Sequence, residues 1–367
     1  MKLVSSLMPL LCFIAFTGEV TSAQDKGTEK GELVLVKSHD KPVITNTSEP
    51  SLKNIYGYEG GRVVKIGGVY HLFTSEMFDD PVWVNMKLGH WQSNDRINWK
   101  RAGTIKKSSG DYTGKDTRAA LWSPIPIFDK KADRWNMFYV AYRSKPNTKK
   151  QFFKNHDGRI VRSISEKKGM SGIGGPYKDL GVIMKPDLET QEWEGPQGVD
   201  SFFPWEVNGK WYAFYGSAKT TFPVNSWLAG LASSPTIGGP WKRLPIGNPT
   251  KLEKTFIENP IVTKLKTGGW LVVYDCQGAD NIGWAYSEDG ITWGEGKRLV
   301  IQDKPGVWSK DVRTPLGLVD EGNNRFTLFY TGFEQDPEWD KFLINEVVKT
   351  CAIGFVELKF DTKTSNR

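Results

Sequence analysis

Three carboxylates and one arginine recur at one place in a repeated pattern. Eleven residues ahead of Tyr70 stands Glu59, eleven ahead of Trp211 stands Asp200, and twelve ahead of Trp270 stands Glu258. Thirteen ahead of Trp135 stands Trp122, followed by Ser123, and thirteen ahead of Phe326 stands Arg313. Each of these aromatics opens the second strand of an expected hairpin, so the residues ahead of them share one register. Carboxylates crowded together repel, and a stable fold avoids that arrangement unless a site uses it. Hydrolysis of a glycosidic bond uses such a set: a carboxylic acid protonates the leaving oxygen while a carboxylate stands across from it. A third carboxylate can raise the acid's pKa so that it keeps its proton near neutrality. Arginine would bind sugar hydroxyls or a substrate carboxylate, and aromatic rings would stack on sugar faces.

The elements that must carry these residues are repeated hairpins. An opening strand, a turn and an aromatic-rich strand occur at Gly61–Phe73, Pro124–Tyr139, Ser201–Tyr215, Pro260–Tyr274 and Pro315–Tyr330. Runs of β-branched and aromatic residues around Gly or Asn turns are hairpin signals. A second phrase, a turn ending in an aromatic, follows the first four: Ser93–Trp99, Gly174–Tyr177, Gly238–Trp241 and Ser287–Trp293. It would join a third strand to a fourth. Four strands per repeat at spacings of 56 to 76 residues describe propeller blades. The expected fold is therefore all-β, a five-bladed β-propeller with four antiparallel strands per blade over residues 55–362. First strands line the central channel, so the residues just ahead of them converge at one mouth. Residues 24–54 form a lead-in whose Glu32–Val36 could close the ring against the last blade.

Composition agrees. The 367 residues include 15 Trp, 12 Tyr, 19 Phe and 38 Gly, which sets aside disordered chains and helical bundles. Lys2, the apolar stretch Leu7–Phe16 and Thr21-Ser22-Ala23 read as a signal peptide over residues 1–23, which implies a secreted or periplasmic protein. Cys12 resembles a lipid-anchor site, but bulky Leu11 stands where a small residue is expected. No later segment is long and apolar enough to be a transmembrane helix. Beyond the signal, Cys276 and Cys351 could form one bridge or stay as buried thiols. The net charge of +7 comes without a Lys/Arg block interleaved with aromatics, which argues against nucleic acid and leaves room for an acidic polysaccharide.

With these residues assembled, the sequence resembles glycoside hydrolase family 43 and its five-bladed relatives over nearly all of the chain after residue 23. The resemblance rests on Trp122-Ser123-Pro124, where the family has Trp-Ala-Pro, on Asp200 ahead of Phe202-Phe203, and on Glu258-Asn259-Pro260, like its Glu-Gly-Pro. It implies an inverting enzyme acting mainly on arabinofuranosides and xylosides, with Glu258 as general acid and Asp200 tuning and orienting it. The base in the first blade is normally an Asp followed by Pro; here Glu59-Gly60-Gly61 stands in its place. Inversion would set Glu59 and Glu258 about 6.5–9.5 Å apart, and retention about 5–5.5 Å. The related fructan-cleaving propellers are retaining, but their Asn-Asp-Pro motif is absent. The expected substrate is a plant or algal oligosaccharide or polysaccharide cleaved at its ends. No cofactor is required. Some relatives hold a structural calcium ion in the channel, and these residues argue neither for nor against one.

Other residues compete for roles. Glu194-Gly195-Pro196 also resembles the acid motif but lies off the register, and Asp79-Asp80-Pro81 resembles the missing first-blade motif but follows its hairpin. Arg62, Arg118 and Trp205 could contact substrate. Trp83, Trp193, Trp227 and Trp339 fall in loops where sugar stacking is open to them, whereas Trp135, Trp211 and Trp270 belong mid-blade in the core. Asp95 and Asp289 sit in turns like the Asp boxes of sialidases, which are structural. The histidines His39, His71, His90 and His156 lack ligand spacing. The rivals in function are a non-catalytic glycan-binding propeller and a sialidase-like hydrolase.

Overall fold

The computed structural model describes residues 31–148, 154–219, 227–254, 256–276, 281–301, 308–335 and 350–362. The expected signal peptide, Cys12 and Trp339 lie outside them. Apart from two short 3-10 turns, the regular structure described is all strand. Strand β1 (Gly31–Ser38) is followed by β2 (Gly57–Ile66), β3 (Val69–Asp79), β4 (Asn85–Ser93) and β5 (Lys100–Lys107). Next come β6 (Ala120–Asp129), β7 (Arg134–Ser144), β8 (Asn155–Lys168) and β9 (Tyr177–Met184). A third group holds β10 (Asp200–Val207), β11 (Lys210–Ala218), β12 (Trp227–Ser234) and the two-residue β13 (Lys242–Arg243). A fourth holds β14 (Glu258–Lys264), β15 (Trp270–Asp275), β16 (Asn281–Ser287) and β17 (Lys297–Val300). The chain finishes with β18 (Asp311–Gly322), β19 (Arg325–Phe333) and β20 (Cys351–Thr362).

The second, third and fourth groups are separate four-stranded antiparallel sheets. The first and last groups instead share one eight-stranded sheet. Two antiparallel stretches meet there at a single parallel pair, Gly57 against Cys351, and β1 lies antiparallel on β20 with Leu33 opposite Phe360. Gly57 permits the junction: at φ 89° a Cβ would stand 1.9 Å from the Cys351 carbonyl oxygen. The first strands pack side by side in cyclic order, β2 on β6, β6 on β10, β10 on β14, β14 on β18, and β18 back on β2.

Burial explains which strands the sequence shows clearly. Middle strands such as β7 and β11 are covered on both faces by neighbouring sheets and read as near-continuous apolar and aromatic runs. Outer strands such as β5 alternate between exposed and half-buried positions. Aromatic contacts join the sheets: Phe138 meets Phe202 at 5.3 Å, and Trp205 meets Trp293 edge-on at 6.1 Å. Trp135 and Trp270 are buried, and Trp211 packs half-buried against the core. Cys276 and Cys351 are buried thiols, and no disulfide joins them.

Candidate active site

One irregularity recurs in every first strand and aims the site. Pairing slips between Glu59 and Gly61 in β2, Trp122 and Ile125 in β6, Asp200 and Phe203 in β10, Glu258 and Ile261 in β14, and Val312 and Pro315 in β18. In four of these bulges the residue after the register position is left-handed: Gly60 (φ 67°), Ser123 (51°), Ser201 (51°) and Asn259 (49°). A bulge bends the strand and re-aims the side chain at its edge. Amides freed from the ladder are taken up by hydroxyls: Ser123 N–H donates to Ser75 Oγ at 2.9 Å, Asn259 N–H to Ser201 Oγ at 3.1 Å, and Thr314 N–H to Thr331 Oγ1 at 3.1 Å. Left-handed serines and asparagine cost about 1–3 kcal/mol each, and the repetition shows what that strain supports.

The bulges deliver Glu59, Trp122, Ser123, Asp200, Glu258 and Arg313 to one cleft of about 460 Å³, with Trp83, Tyr142, Asn155, Gln197, Trp227 and Asn259 in its walls. Arg313 is the hub. Its Nε pairs with Glu59 Oε1 at 2.9 Å, its Nη2 with Glu258 Oε2 at 3.1 Å, and its Nη1 donates to Asp275 Oδ2 at 3.0 Å. Glu59, Asp200 and Glu258 are 5–6% exposed. On the far wall the Tyr142 hydroxyl donates to Asp200 Oδ2, and the Ser201 N–H donates to Asp200 Oδ1.

One cation among four buried carboxylates makes a proton shortage. Burial pushes Glu258 well above the usual carboxylate range, and Glu59, Asp275 and Asp200 push the same way against the opposing pull of Arg313. Burial also raises Asp200 to about 6, although the hydrogen bonds from Tyr142 and Ser201 favour its ionised form. The arrangement can therefore hold a proton on Glu258, which is what general acid catalysis requires.

Several expected residues lie elsewhere. Arg62 turns away from the cleft: its Nη1 donates to the Pro126 carbonyl at 2.6 Å and its guanidinium covers Phe203 at 4.9 Å. Trp205 lies below the bulge, where side chains point between sheets; it is buried and its indole donates to Gly290 O at 2.8 Å. Glu194 is tied to Arg243 at 2.7 Å and accepts from Tyr215. Asp80 accepts from Tyr56, and Arg118 pairs with Asp179 at 2.8 Å. Of the tryptophans expected in loops, Trp83 and Trp227 reach the cleft, though Trp227 opens β12 rather than lying in a loop, whereas Trp193 packs on Tyr215 at 5.5 Å. Asp95 and Asp289 each cap their own turn, accepting from the N–H groups two and three residues on.

Asp275, Tyr142 and Gln197 were not in the sequence-based set. Asp275 could have been found by counting across the fourth hairpin, since it stands opposite Glu258. Tyr142 lies three residues beyond the repeated aromatic position at Tyr139, so no repeat marks it. Beneath the cleft, a narrower space of about 200 Å³ is lined by residues including Gly61, Ser123, Ser201 and Asn259. Its side-chain donors are neutral and bonded to one another, Ser123 Oγ to Asn259 Oδ1 at 3.1 Å. Among the described residues no group of three or more His, Cys, Asp or Glu could hold a metal ion.

No known family model matches this sequence, and none of the curated proteins resembles it in sequence. Its fold, however, is that of solved glycoside hydrolases of families 117, 43 and 32. Zg3597, a family 117 glycoside hydrolase produced by the marine bacterium Zobellia galactanivorans, superposes with a TM-score of 0.57 at 14% identity, covering 90% of each chain. A thermostable family-43 glycoside hydrolase gives 0.53 at 15%, covering 88% of this chain and 98% of its own. The family 32 β-fructofuranosidase BmSUC1 of Bombyx mori gives 0.53 at 15%, covering 86% of this chain and 62% of its own.

Proposed function

We propose that this protein is a secreted glycoside hydrolase built as a five-bladed propeller, in which β1 completes the last blade. Glu258 protonates the glycosidic oxygen, Glu59 activates water on the opposite face of the sugar, and Asp200 helps keep Glu258 protonated. The observation that carries this reading is Arg313, which holds Glu59 and Glu258 on one guanidinium while Glu258 is buried among further carboxylates. The reaction inverts configuration and needs no metal.

Trp83, Trp122 and Trp227 line the cleft and can stack on a sugar, and an arabinofuranoside or xyloside end is the first to try. Among the described residues, the positive net charge does not extend into the cleft. Arg313 is the one cation among the described residues lining it, and it already faces three carboxylates, which favours an uncharged sugar there. A single arginine among the described lining residues also disfavours a sialidase.

A panel of nitrophenyl furanosides and pyranosides, with plant and algal oligosaccharides, tests the reading with wild type beside Glu258→Gln. Hydrolysis by wild type and a loss of roughly 10²–10⁴-fold in the variant are expected. Equal rates in the two remove Glu258 from the role of acid. Sugar binding without hydrolysis by wild type leaves a non-catalytic glycan-binding protein instead. The anomer released, followed by NMR, reports inversion or retention.

A further inference from the structure

The proposed chemistry leaves one polar side chain of the cleft wall unused. Gln197 lies three residues before β10 and is 3% exposed. Its backbone is pinned on both sides: its N–H donates to Ala218 O at 3.2 Å, and its carbonyl accepts from Gly158 N–H at 2.8 Å. The pinning depends on glycine at 158, where a Cβ would stand 2.5 Å from the Tyr142 ring and 2.9 Å from the Gln197 carbonyl oxygen.

The side chain of Gln197 hydrogen-bonds to the Tyr142 hydroxyl, whose own hydrogen goes to Asp200 Oδ2. A hydroxyl has one hydrogen to give, so the contact from Gln197 must come from its amide nitrogen. The carboxamide oxygen is left over, buried at the wall of the cleft with no partner. A sealed acceptor without a donor costs about 1–3 kcal/mol, and native proteins rarely leave one without a reason. Its neighbour Asn155 offers no such opening: it accepts from Ser144 Oγ at 2.5 Å and donates to Trp83 O at 3.0 Å.

We propose that Gln197 is a specificity-determining residue, whose Oε1 accepts one hydroxyl of the sugar seated beside Asp200 while its amide, through Tyr142, fixes the Asp200 carboxylate. The inference rests on the glycosidase reading and names the group by which that site recognises its sugar. A substrate lacking this hydroxyl, or carrying it on the other face of the ring, leaves the oxygen unpaired and Asp200 less firmly held.

The test takes the glycoside that wild type cleaves fastest, with each of its singly deoxygenated forms, and compares wild type with Gln197→Met. Wild type should lose roughly 5- to 150-fold in kcat/KM at one ring position. In the variant that penalty should shrink to within about threefold, while penalties at other positions persist, as a cycle between coupled groups requires. An unchanged penalty in Gln197→Met overturns the proposal. So does a wild type that discriminates against no deoxy position, whatever the variant's folding. If wild type hydrolyses no glycoside, the glycosidase reading fails by itself; the same cycle is then read as Kd for the free sugars by calorimetry. A penalty that vanishes with Gln197 there supports the recognition role, and a wild type that binds no sugar overturns it.

Discussion

Glu258 on β14 and Asp275 on β15 stand directly opposite one another in an antiparallel pair, two buried carboxylates at one rung of the ladder. Like charges so placed destabilise a sheet, and Arg313 resolves the conflict by pairing with both. Replacing it with Met should abolish hydrolysis and destabilise the fold by about 3–5 kcal/mol, because uncompensated buried charges remain. The loss should be larger at pH 8 than at pH 5, since protonation relieves the acids. Urea unfolding at the two pH values checks this. Arg313→Lys should not restore activity, because an ammonium cannot span three partners with one planar fork.

If Glu258 is the acid, its importance depends on how much help the leaving group needs. With dinitrophenol, which departs without a proton, Glu258→Gln should lose far less than with an alkyl alcohol, and the difference should be about tenfold or more. Parallel kcat/KM series over leaving groups for wild type and variant measure it. Equal sensitivity in both would place the proton elsewhere.

Tyr142 sets the lower end of the working pH range. Its hydrogen bond favours ionised Asp200 and opposes the burial that lifts this group to about 6. Tyr142→Phe removes the donor, so Asp200 should titrate higher still. The acidic limb of kcat/KM should then move up by roughly 1–2 pH units, given that hydrogen bonds to charged groups contribute about 1.5–3 kcal/mol. A variant that merely loosens the core would lower activity without moving the limb.

Acid stability should be limited by a histidine pair remote from the cleft. His71 Nδ1 and His90 Nε2 lie 3.1 Å apart in the interior, and burial, with the neighbouring His71, lowers His90 from 6.5 to about 3. The folded state therefore binds fewer protons than the unfolded chain between those values, so stability is full above pH 6.5 and falls as pH drops toward 3. By pH 4.5 the loss is on the order of 2–3 kcal/mol. His90→Gln should flatten the decline, as denaturant midpoints from pH 7.5 down to 4.5 would show.

The four register residues were legible because each occupies the same offset in a repeat, and a repeat carries its own alignment. Glu59, Asp200, Glu258 and Arg313 needed only the hairpin aromatics as rulers. Asp275 and Tyr142 come from second strands, where that ruler does not point to the mouth. Trp205 was misplaced because a bulge separates it from Asp200, and below the bulge the strand faces neighbouring sheets rather than the cleft. The closing strand at Glu32–Val36 was legible and pairs with β20, but the parallel junction that joins first and last groups into one sheet was not. It depends on how closely the backbones of Gly57 and Cys351 approach, and no periodicity records that distance.

The contact of β1 with β20 bears on how the molecule is made. Leu33 is synthesised early and Phe360 late, yet they are partners in one sheet. The entropy of closing so long a loop grows only logarithmically with its length, so the distance in sequence adds little to the thermodynamic cost. Its effect is on timing. The hairpins of the middle sheets can form while the chain is still emerging, but the sheet that holds β1 and β2 waits for β20. Until then β1 and the Gly57 edge of β2 carry unpaired backbone groups, which invite pairing with other chains. A nascent chain stalled before Cys351 would be a species to shield, and a helper that binds extended edges would be needed most at that stage.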